Sequence, residues 1–262
     1  MSELFRFQAG NAPLLVSMPH VGTDIPDDLR KVMTPVAAAV ADTDWHVDRL
    51  YDFAREMDAT VLSARYSRYC IDLNRHPEGQ SLYPGASVTE LCPTSTFDDE
   101  PLYVHAPPDK AEIHRRRETY WQPYHAKLRA ELTRLREKHP RVLLWEGHSI
   151  RSVVPRFFEG RLPDLNFGTG GGKTADPELI GRIMEIAQAS PFSSILNGRF
   201  TGGYITRTYG QPENGVHAIQ LEKAQIAYMD EAPPFRWDPS RAAELRRYLK
   251  KFLAAGLAWV ES

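Results

Sequence analysis

The sequence has few cysteines and no long hydrophobic run. Cys70 and Cys92 are the two cysteines among 262 residues, and they do not form a CxxC pair, which excludes a disulfide framework and a cysteine zinc cluster. A bound metal would therefore need nitrogen and oxygen ligands. No stretch of about 18 apolar residues occurs, so no membrane-spanning helix is expected.

The chain also lacks a strong charge of either sign. Its formal net charge is -2, with 25% charged and 42% hydrophobic residues, as in an ordinary globular protein. This balance gives no electrostatic reason to expect a nucleic acid or an anionic membrane as partner. The first six residues do not show the basic and then apolar pattern of a secretion signal, so we expect a cytoplasmic protein.

Short apolar runs alternate with helical patterns along the chain. The runs are short enough for strands and cover residues 14–18, 60–62, 69–73, 142–145, 194–196 and 216–221. Helical patterns cover residues 47–57, 110–138, 176–188 and 239–257, with a kink or break expected at Pro123. This alternation predicts one α/β domain over residues 1–262, with a mostly parallel sheet between two helical layers. The sequence makes no prediction of oligomeric state.

Two segments lie outside this alternation. Residues 76–108 read as one long loop, and its aromatic residues Tyr83, Phe97 and Tyr103 favour an ordered cover over a disordered segment. Residues 167–174 end like a phosphate-binding loop, but Phe167 stands where that motif requires glycine. We therefore interpret the second segment as a glycine turn.

Two histidines follow short apolar runs. His20 ends the sequence Val16-Ser17-Met18-Pro19-His20, and His148 ends Val142-Leu143-Leu144-Trp145-Glu146-Gly147-His148. Open α/β sheets bind ligands outside the carboxyl ends of their strands, so we expect both imidazoles at one sheet edge as ligands of a hydrolytic zinc ion. Taken singly, each could instead be an ordinary polar residue at a strand end.

Other polar residues follow two more of the predicted strands. Asn74 and Arg75 come after residues 69–73, and the arginine fork suits a carboxylate of an acidic substrate, unless it pairs with Asp72. Glu222 ends the run 216–221, where a buried charge needs a partner or a task. It could be the general base beside a metal or the partner of Lys223.

Together these residues resemble the N-formylglutamate amidohydrolase family. The shared blocks are specific in order and spacing and cover nearly the whole chain: Pro19-His20-Val21-Gly22, Asp42-Thr43-Asp44-Trp45-His46-Val47, Ser67-Arg68 through Arg75, Leu82-Tyr83-Pro84-Gly85, Glu146-Gly147-His148-Ser149, Phe200-Thr201-Gly202-Gly203-Tyr204-Ile205-Thr206-Arg207 and Leu221-Glu222-Lys223. The resemblance implies an enzyme that releases formate and glutamate from N-formyl-L-glutamate late in histidine breakdown. It also implies a three-layer α/β/α fold related to the zinc carboxypeptidases and aspartoacylases.

The resemblance implies that two histidines and one acid hold zinc. Related enzymes take the acid from an HxxE motif, whereas the residue three positions after His20 is Thr23. We therefore choose Asp44, with His20 and His148, as the metal ligands. The candidates that stay open are Asp24, Asp42, His46 and Glu146, the last of which could instead orient His148.

The resemblance also implies roles around the metal. Glu222 would take the proton of the attacking water. We expect Arg68 to donate to the oxyanion of the tetrahedral intermediate, because it lies on the same predicted strand as Asn74 and Arg75. Asn74 and Arg75 would hold one carboxylate of a small acidic N-acyl amino acid, with Arg207 as the candidate for the other. The alternatives are a related zinc deacylase or cell-wall amidase and, in a different class, a small-molecule binding protein without a competent metal site.

Overall fold

Seven strands form one mixed sheet in the computed structural model, which describes residues 3–80 and 88–262. The strands are β1 (Phe5–Gln8), β2 (Leu14–Met18), β3 (Thr60–Ala64), β4 (Val142–Ile150), β5 (Leu165–Gly168), β6 (Ser194–Leu196) and β7 (Val216–Ala224). Their order in the sheet is β1-β3-β2-β4-β7-β5-β6. Strands β3, β2, β4 and β7 pair in parallel, while β1 and β5 run antiparallel to β3 and β7.

Helices cover both faces of the sheet, because alternate strand residues point to opposite sides. One face packs Leu14, Val16 and Trp145 in a cluster with residues of α5 (Pro177–Gln188) and α7 (Pro239–Glu261). The other face packs Leu15 and Leu144 against α4 (Gln122–Arg136) and α6 (Tyr204–Tyr209). The predicted α/β class with a mostly parallel sheet is confirmed.

The remaining helices are short or continuous with α4. They are α1 (Asp27–Arg30), α2 (Val47–Leu50) and α3 (Lys110–Arg116), with 3-10 turns at Ala37–Ala39, Asp52–Met57, Pro212–Asn214 and Gln225–Ala227. A π-helical turn at Arg117–Trp121 joins α3 to α4 just before Pro123. Because proline lacks the N–H for the helical ladder, the predicted break takes the form of this wide turn. Among the described residues, no helix combines the length and the apolar character needed to cross a membrane.

The predicted strand at residues 69–73 is wrong. The segment is buried but forms turns, in which Cys70 donates its N–H to Ser67 O at 2.9 Å. Its apolar side chains fill two separate clusters, with Tyr69 in one and Ile71 in the other. Two real strands, β1 and β5, are absent from the predicted set.

The two unusual segments have different outcomes. In the predicted glycine turn, Gly170, Gly171 and Gly172 all have positive φ angles of 59°, 71° and 88°, a conformation that side chains with a Cβ rarely adopt. In the long loop, Phe97 and Tyr103 are buried, as an ordered cover requires. Tyr83 lies outside the described residues.

Candidate active site

Two histidines and one aspartate meet at the carboxyl edge of the sheet. His20 lies just beyond β2, His148 lies within β4, and Asp44 precedes α2, where its N–H donates to His20 O at 3.0 Å. One possible ligand atom from each of the three lies within 4.8 Å of the others, and all three side chains are buried. The structure thus brings together the three residues expected from the sequence.

The ring nitrogens of the histidines face two different environments. Nδ1 of His148 lies 3.0 Å from Asp44 Oδ2, and Nδ1 of His20 lies 3.8 Å from the same oxygen. On the far sides, Nε2 of His20 donates to Asp72 at 2.7 Å and Nε2 of His148 donates to Glu146 at 3.0 Å. Metal-binding imidazoles are commonly oriented by a carboxylate in this way, which leaves the opposite nitrogen for the metal.

The other candidate acids have different partners. Asp24 forms an ion pair with an arginine at 2.7 Å, outside the site. Asp42 accepts hydrogen bonds from a tyrosine hydroxyl and a backbone N–H. The Nε2 of His46 lies 2.7 Å from a backbone carbonyl. Glu146 contacts Nε2 of His148 through one oxygen and accepts a hydrogen bond from Thr206 at 2.5 Å through the other, so both of its oxygens are engaged.

The charged side chains around this group shift one another's pKa. Burial opposes ionisation of Asp44, yet its hydrogen bond with His148 and the neighbouring cations lower its pKa. Burial likewise opposes the charge on Asp72, but Arg75, His20 and Arg68 hold its pKa well below the usual range. Burial also disfavours a charged His148, but Glu146 and Asp44 raise its pKa to about 10. These two carboxylates therefore favour a positive charge on or beside His148.

Glu222 stands beside this group because β4 and β7 pair in parallel. The register places it opposite His148. Burial raises the pKa of Glu222 to about 7, against the attraction of His148, which suits a group that accepts and then returns a proton. Lys223 points away, as alternation along a strand requires, and donates to Tyr51 and Leu221.

Arg68 lines a pocket together with His20, Asp44, His148 and Glu222. It donates to Asp72 Oδ2 at 2.7 Å through Nη2, and its Nη1 lies 3.9 Å from Asp44 Oδ1. Its Nε is buried and has no hydrogen-bond partner within residues 3–80 and 88–262. A buried donor without a partner costs free energy, so a substrate oxygen that accepts from this atom would be stabilised.

Asn74 and Arg75 both line the pocket. Asn74 accepts the N–H of Ile205 through Oδ1 at 2.9 Å, while its Nδ2 lies 3.1 Å from Nε2 of His148. Arg75 donates to the carbonyl and the hydroxyl of Thr89 and lies 3.8 Å from Asp72. The ion pair between Arg75 and Asp72, which the sequence left open, is therefore a loose one. The guanidinium of Arg75 is held at the pocket wall.

Arg207 is not brought into this group. Its side chain is exposed and donates to Gly202 O at 2.8 Å and to Thr201 at 2.7 Å, and the residues that line the pocket do not include it. Sequence reasoning missed Gln220 and Arg199, which do line it. Gln220 precedes Glu222 by two positions on β7 and shares its face, a signal that could have identified it. Nothing in the sequence around Arg199 distinguishes it.

The fold and the site define an α/β protein with a buried His-Asp-His group that could hold a metal ion at the carboxyl edge of its sheet. Residues 12–229 match the model of the N-formylglutamate amidohydrolase family. N-formylglutamate deformylase of Pseudomonas putida is 46% identical over 261 residues, covering 99% of this chain and 97% of the relative. The chain belongs to the N-formylglutamate amidohydrolase family, which confirms the resemblance seen in the sequence.

A second relative supports this assignment, and two solved structures have the same fold. N-formylglutamate deformylase of Pseudomonas aeruginosa is 47% identical over 261 residues, covering 99% of this chain and 98% of the relative. The structure of N-formylglutamate amidohydrolase from Ralstonia eutropha matches with a TM-score of 0.81 at 23% identity, over 98% and 97% of the two chains. That of gene product Atu2144 from Agrobacterium tumefaciens matches with a TM-score of 0.76 at 17% identity, over 100% and 97%. These two structures share the fold.

Proposed function

We propose that the protein hydrolyses N-formyl-L-glutamate to formate and L-glutamate. Its kinship with two deformylases over nearly the whole chain supports this substrate. The observation that carries the chemistry is the pairing of His148 with Glu222 across β4 and β7. This register puts a group with the properties of a general base next to the candidate metal ligands.

We propose zinc as the cofactor, held by His20, Asp44 and His148. The fit rests on three buried nitrogen and oxygen donors within 4.8 Å of one another and on carboxylates that orient both imidazoles. When bound, the ion polarises the formyl carbonyl and makes a water molecule more acidic.

The side chains of the pocket perform the remaining steps. Glu222 accepts a proton from the attacking water as the carbon-oxygen bond forms, and it returns that proton to the amine when the carbon-nitrogen bond breaks. Arg68 donates through Nε to the oxyanion of the tetrahedral intermediate. Asn74 and Arg75 hold one carboxylate of the glutamate and thereby fix the formyl group in place.

Formate release by purified protein tests this function. We expect release from N-formyl-L-glutamate, loss of that activity after dialysis against a chelator, and recovery on addition of zinc. N-acetyl-L-glutamate should be a poorer substrate, because the buried ring of Phe97 lies at the pocket and an acetyl group is larger by a methyl. A preference for the acetyl compound would favour a related deacylase, and activity that persists without metal would contradict the mechanism.

A further inference from the structure

The proposed substrate carries two carboxylates, which need two cationic positions. Three of the described residues that line the pocket are arginines: Arg68, Arg75 and Arg199. Arg68 is already engaged by the carboxylates of Asp72 at 2.7 Å and Asp44 at 3.9 Å. Arg68 is assigned to the oxyanion and Arg75 to one substrate carboxylate, so Arg199 is the described pocket arginine to which no role has yet been assigned.

Arg199 is held at the wall of the pocket by a hydrogen bond and a ring contact. Its Nε donates to the carbonyl oxygen of Phe157 at 2.6 Å, and its guanidinium carbon lies 5.3 Å from the centre of the Phe200 ring. Both phenylalanines also line the pocket. A guanidinium fixed through Nε and stacked on an aromatic face presents its terminal nitrogens in a defined direction, as carboxylate recognition requires.

The chain that follows Arg199 is hydrogen-bonded to, and packed against, segments near the proposed catalytic residues. Gly170 donates its N–H to Thr201 O at 2.6 Å, and Gly203 donates its N–H to Gln220 Oε1 at 2.8 Å. A Cβ on Gly203 would lie 2.3 Å from Asn74 Nδ2, so the backbone packs directly against the proposed carboxylate clamp. The position of Arg199 is thus fixed relative to the proposed catalytic residues.

The residues around Arg199 suit the side chain of a glutamate. Two methylene groups separate the α-carbon from the distal carboxylate, and the rings of Phe157 and Phe200 offer apolar surface for them beside the cation. We propose that Arg199 binds the side-chain carboxylate of the substrate and so selects acidic N-formyl amino acids. This inference rests on the proposed function.

The test compares two substrates that differ in one charge. N-formyl-L-glutamine has nearly the same shape as N-formyl-L-glutamate but lacks the distal charge. Arg199→Gln should lower kcat/KM for the glutamate compound by about 10- to 100-fold, mainly through KM, because it removes a charge-assisted contact. It should change kcat/KM for the glutamine compound by less than about threefold. The preference for the acidic substrate would then largely disappear.

Two further variants serve as comparisons. Arg156→Gln is the matched control, because Arg156 likewise stacks on the phenylalanine that follows it, Phe157, at 5.5 Å, but lies outside the pocket lining. The kcat/KM for both substrates should be unaffected. Arg207→Gln tests the residue suggested by the sequence. If Arg199→Gln is unstable, Arg199→Lys should retain part of the preference for the acidic substrate, because it keeps the charge but loses the fixed guanidinium fork.

The possible results distinguish failure of the role proposed for Arg199 from failure of the proposed function. Equal loss on both substrates in Arg199→Gln, or loss of the preference in Arg207→Gln instead, would overturn the role of Arg199 and leave the deformylase activity intact. If Arg199→Lys is as stable as the parent but has no preference for the acidic substrate, that result would also contradict a charge contact. A parent protein that releases no formate from N-formyl-L-glutamate would overturn the proposed function itself.

Discussion

At the scale of single residues, carboxylates fix the orientation of the two histidine rings in the site. Each histidine of the candidate metal group has one nitrogen toward Asp44 and the other on a second carboxylate, Asp72 or Glu146. An imidazole held in this way loses less freedom when it binds a metal, and its hydrogen bond raises its basicity. We therefore expect Asp72 and Glu146 to influence the affinity of the site for a metal ion without contacting that ion.

Asp44 and Asp42 form a natural comparison, because both are buried acids and they lie two positions apart. We expect Asp44→Asn to lower bound zinc well below one ion per chain, since it weakens one of three proposed ligands. Asp42→Asn should keep the metal, because that carboxylate accepts its hydrogen bonds elsewhere. Metal analysis of the dialysed proteins measures both. Full occupancy in Asp44→Asn would show that another acid completes the site.

Glu222→Gln separates catalysis from metal binding. The amide preserves the size of the side chain but cannot accept the proton of the attacking water, so turnover should fall by about 10² to 10⁴-fold with the metal retained. Rates of formate release and zinc content should be measured on the same preparation. A rate within a few-fold of the parent would make Glu222 a structural residue.

At the scale of elements, two glycines illustrate different constraints. Gly203 precedes α6 and touches Asn74, with an added Cβ only 2.3 Å from Nδ2, whereas Gly181 lies within α5 and has nothing within 4 Å of an added Cβ. Gly203→Ala should displace Asn74 and reduce kcat/KM by at least about tenfold, since a small misplacement near reacting atoms is costly. Gly181→Ala should leave the activity unchanged and stabilise the protein by about 0.5–1 kcal/mol.

Thermal or urea unfolding, together with formate release, measures both variants. If Gly203→Ala is as active as the parent, then Asn74 either adjusts easily or has no role in catalysis. If Gly181→Ala loses activity, α5 influences the active site.

The elements also show what the sequence could and could not reveal. Runs such as residues 14–18 and 216–221 were identifiable because strands buried on both faces are largely apolar, although these two contain Ser17, His217 and Gln220. Residues 69–73 have the same appearance, but they are buried by clusters on two sides of a turn, and periodicity cannot distinguish these cases. β1 is an edge strand with two exposed residues among its four, so it carries little apolar signal.

The site was predictable to the extent that its residues end strands. His20 and His148 could be identified in that way, and Asp44 through its family block, whereas the exclusion of Asp24 depends on an ion pair with Arg65 that no local pattern indicates. Arg199 reaches the pocket only through the packing of the segment after β6 onto β5 and β7. Such long-range packing is absent from any local window of sequence.

At the scale of the whole molecule, one buried histidine links stability to pH. His125 is buried and lies within 2.9 Å of the Tyr209 hydroxyl and 2.8 Å of the Leu73 carbonyl. Burial lowers its pKa to about 3 from the usual 6.5. Between these values the unfolded chain binds a proton that the folded chain does not, so the free energy of unfolding falls as the pH decreases below about 6.5, by up to about 1.4 kcal/mol per pH unit.

We therefore expect His125→Gln to flatten the decline of unfolding free energy between pH 6.5 and pH 4, whatever its effect at neutral pH. Urea unfolding at several pH values gives the slope. His105→Gln removes an exposed histidine and should leave the slope as in the parent. An unchanged slope in His125→Gln would mean that other groups dominate the acid response.

The parallel pairing of β2, β4 and β7 has a consequence for how the protein matures. The contact between His148 and Asp44 spans 104 positions, and Glu222 enters only with the last strand of the sheet. Parallel strands of such separation close large loops, which is slow. On a ribosome, the two proposed histidine ligands emerge far apart in time, and the proposed general base comes later still. Metal acquisition should thus be a late event that locks an already assembled sheet, rather than the nucleus around which the chain folds.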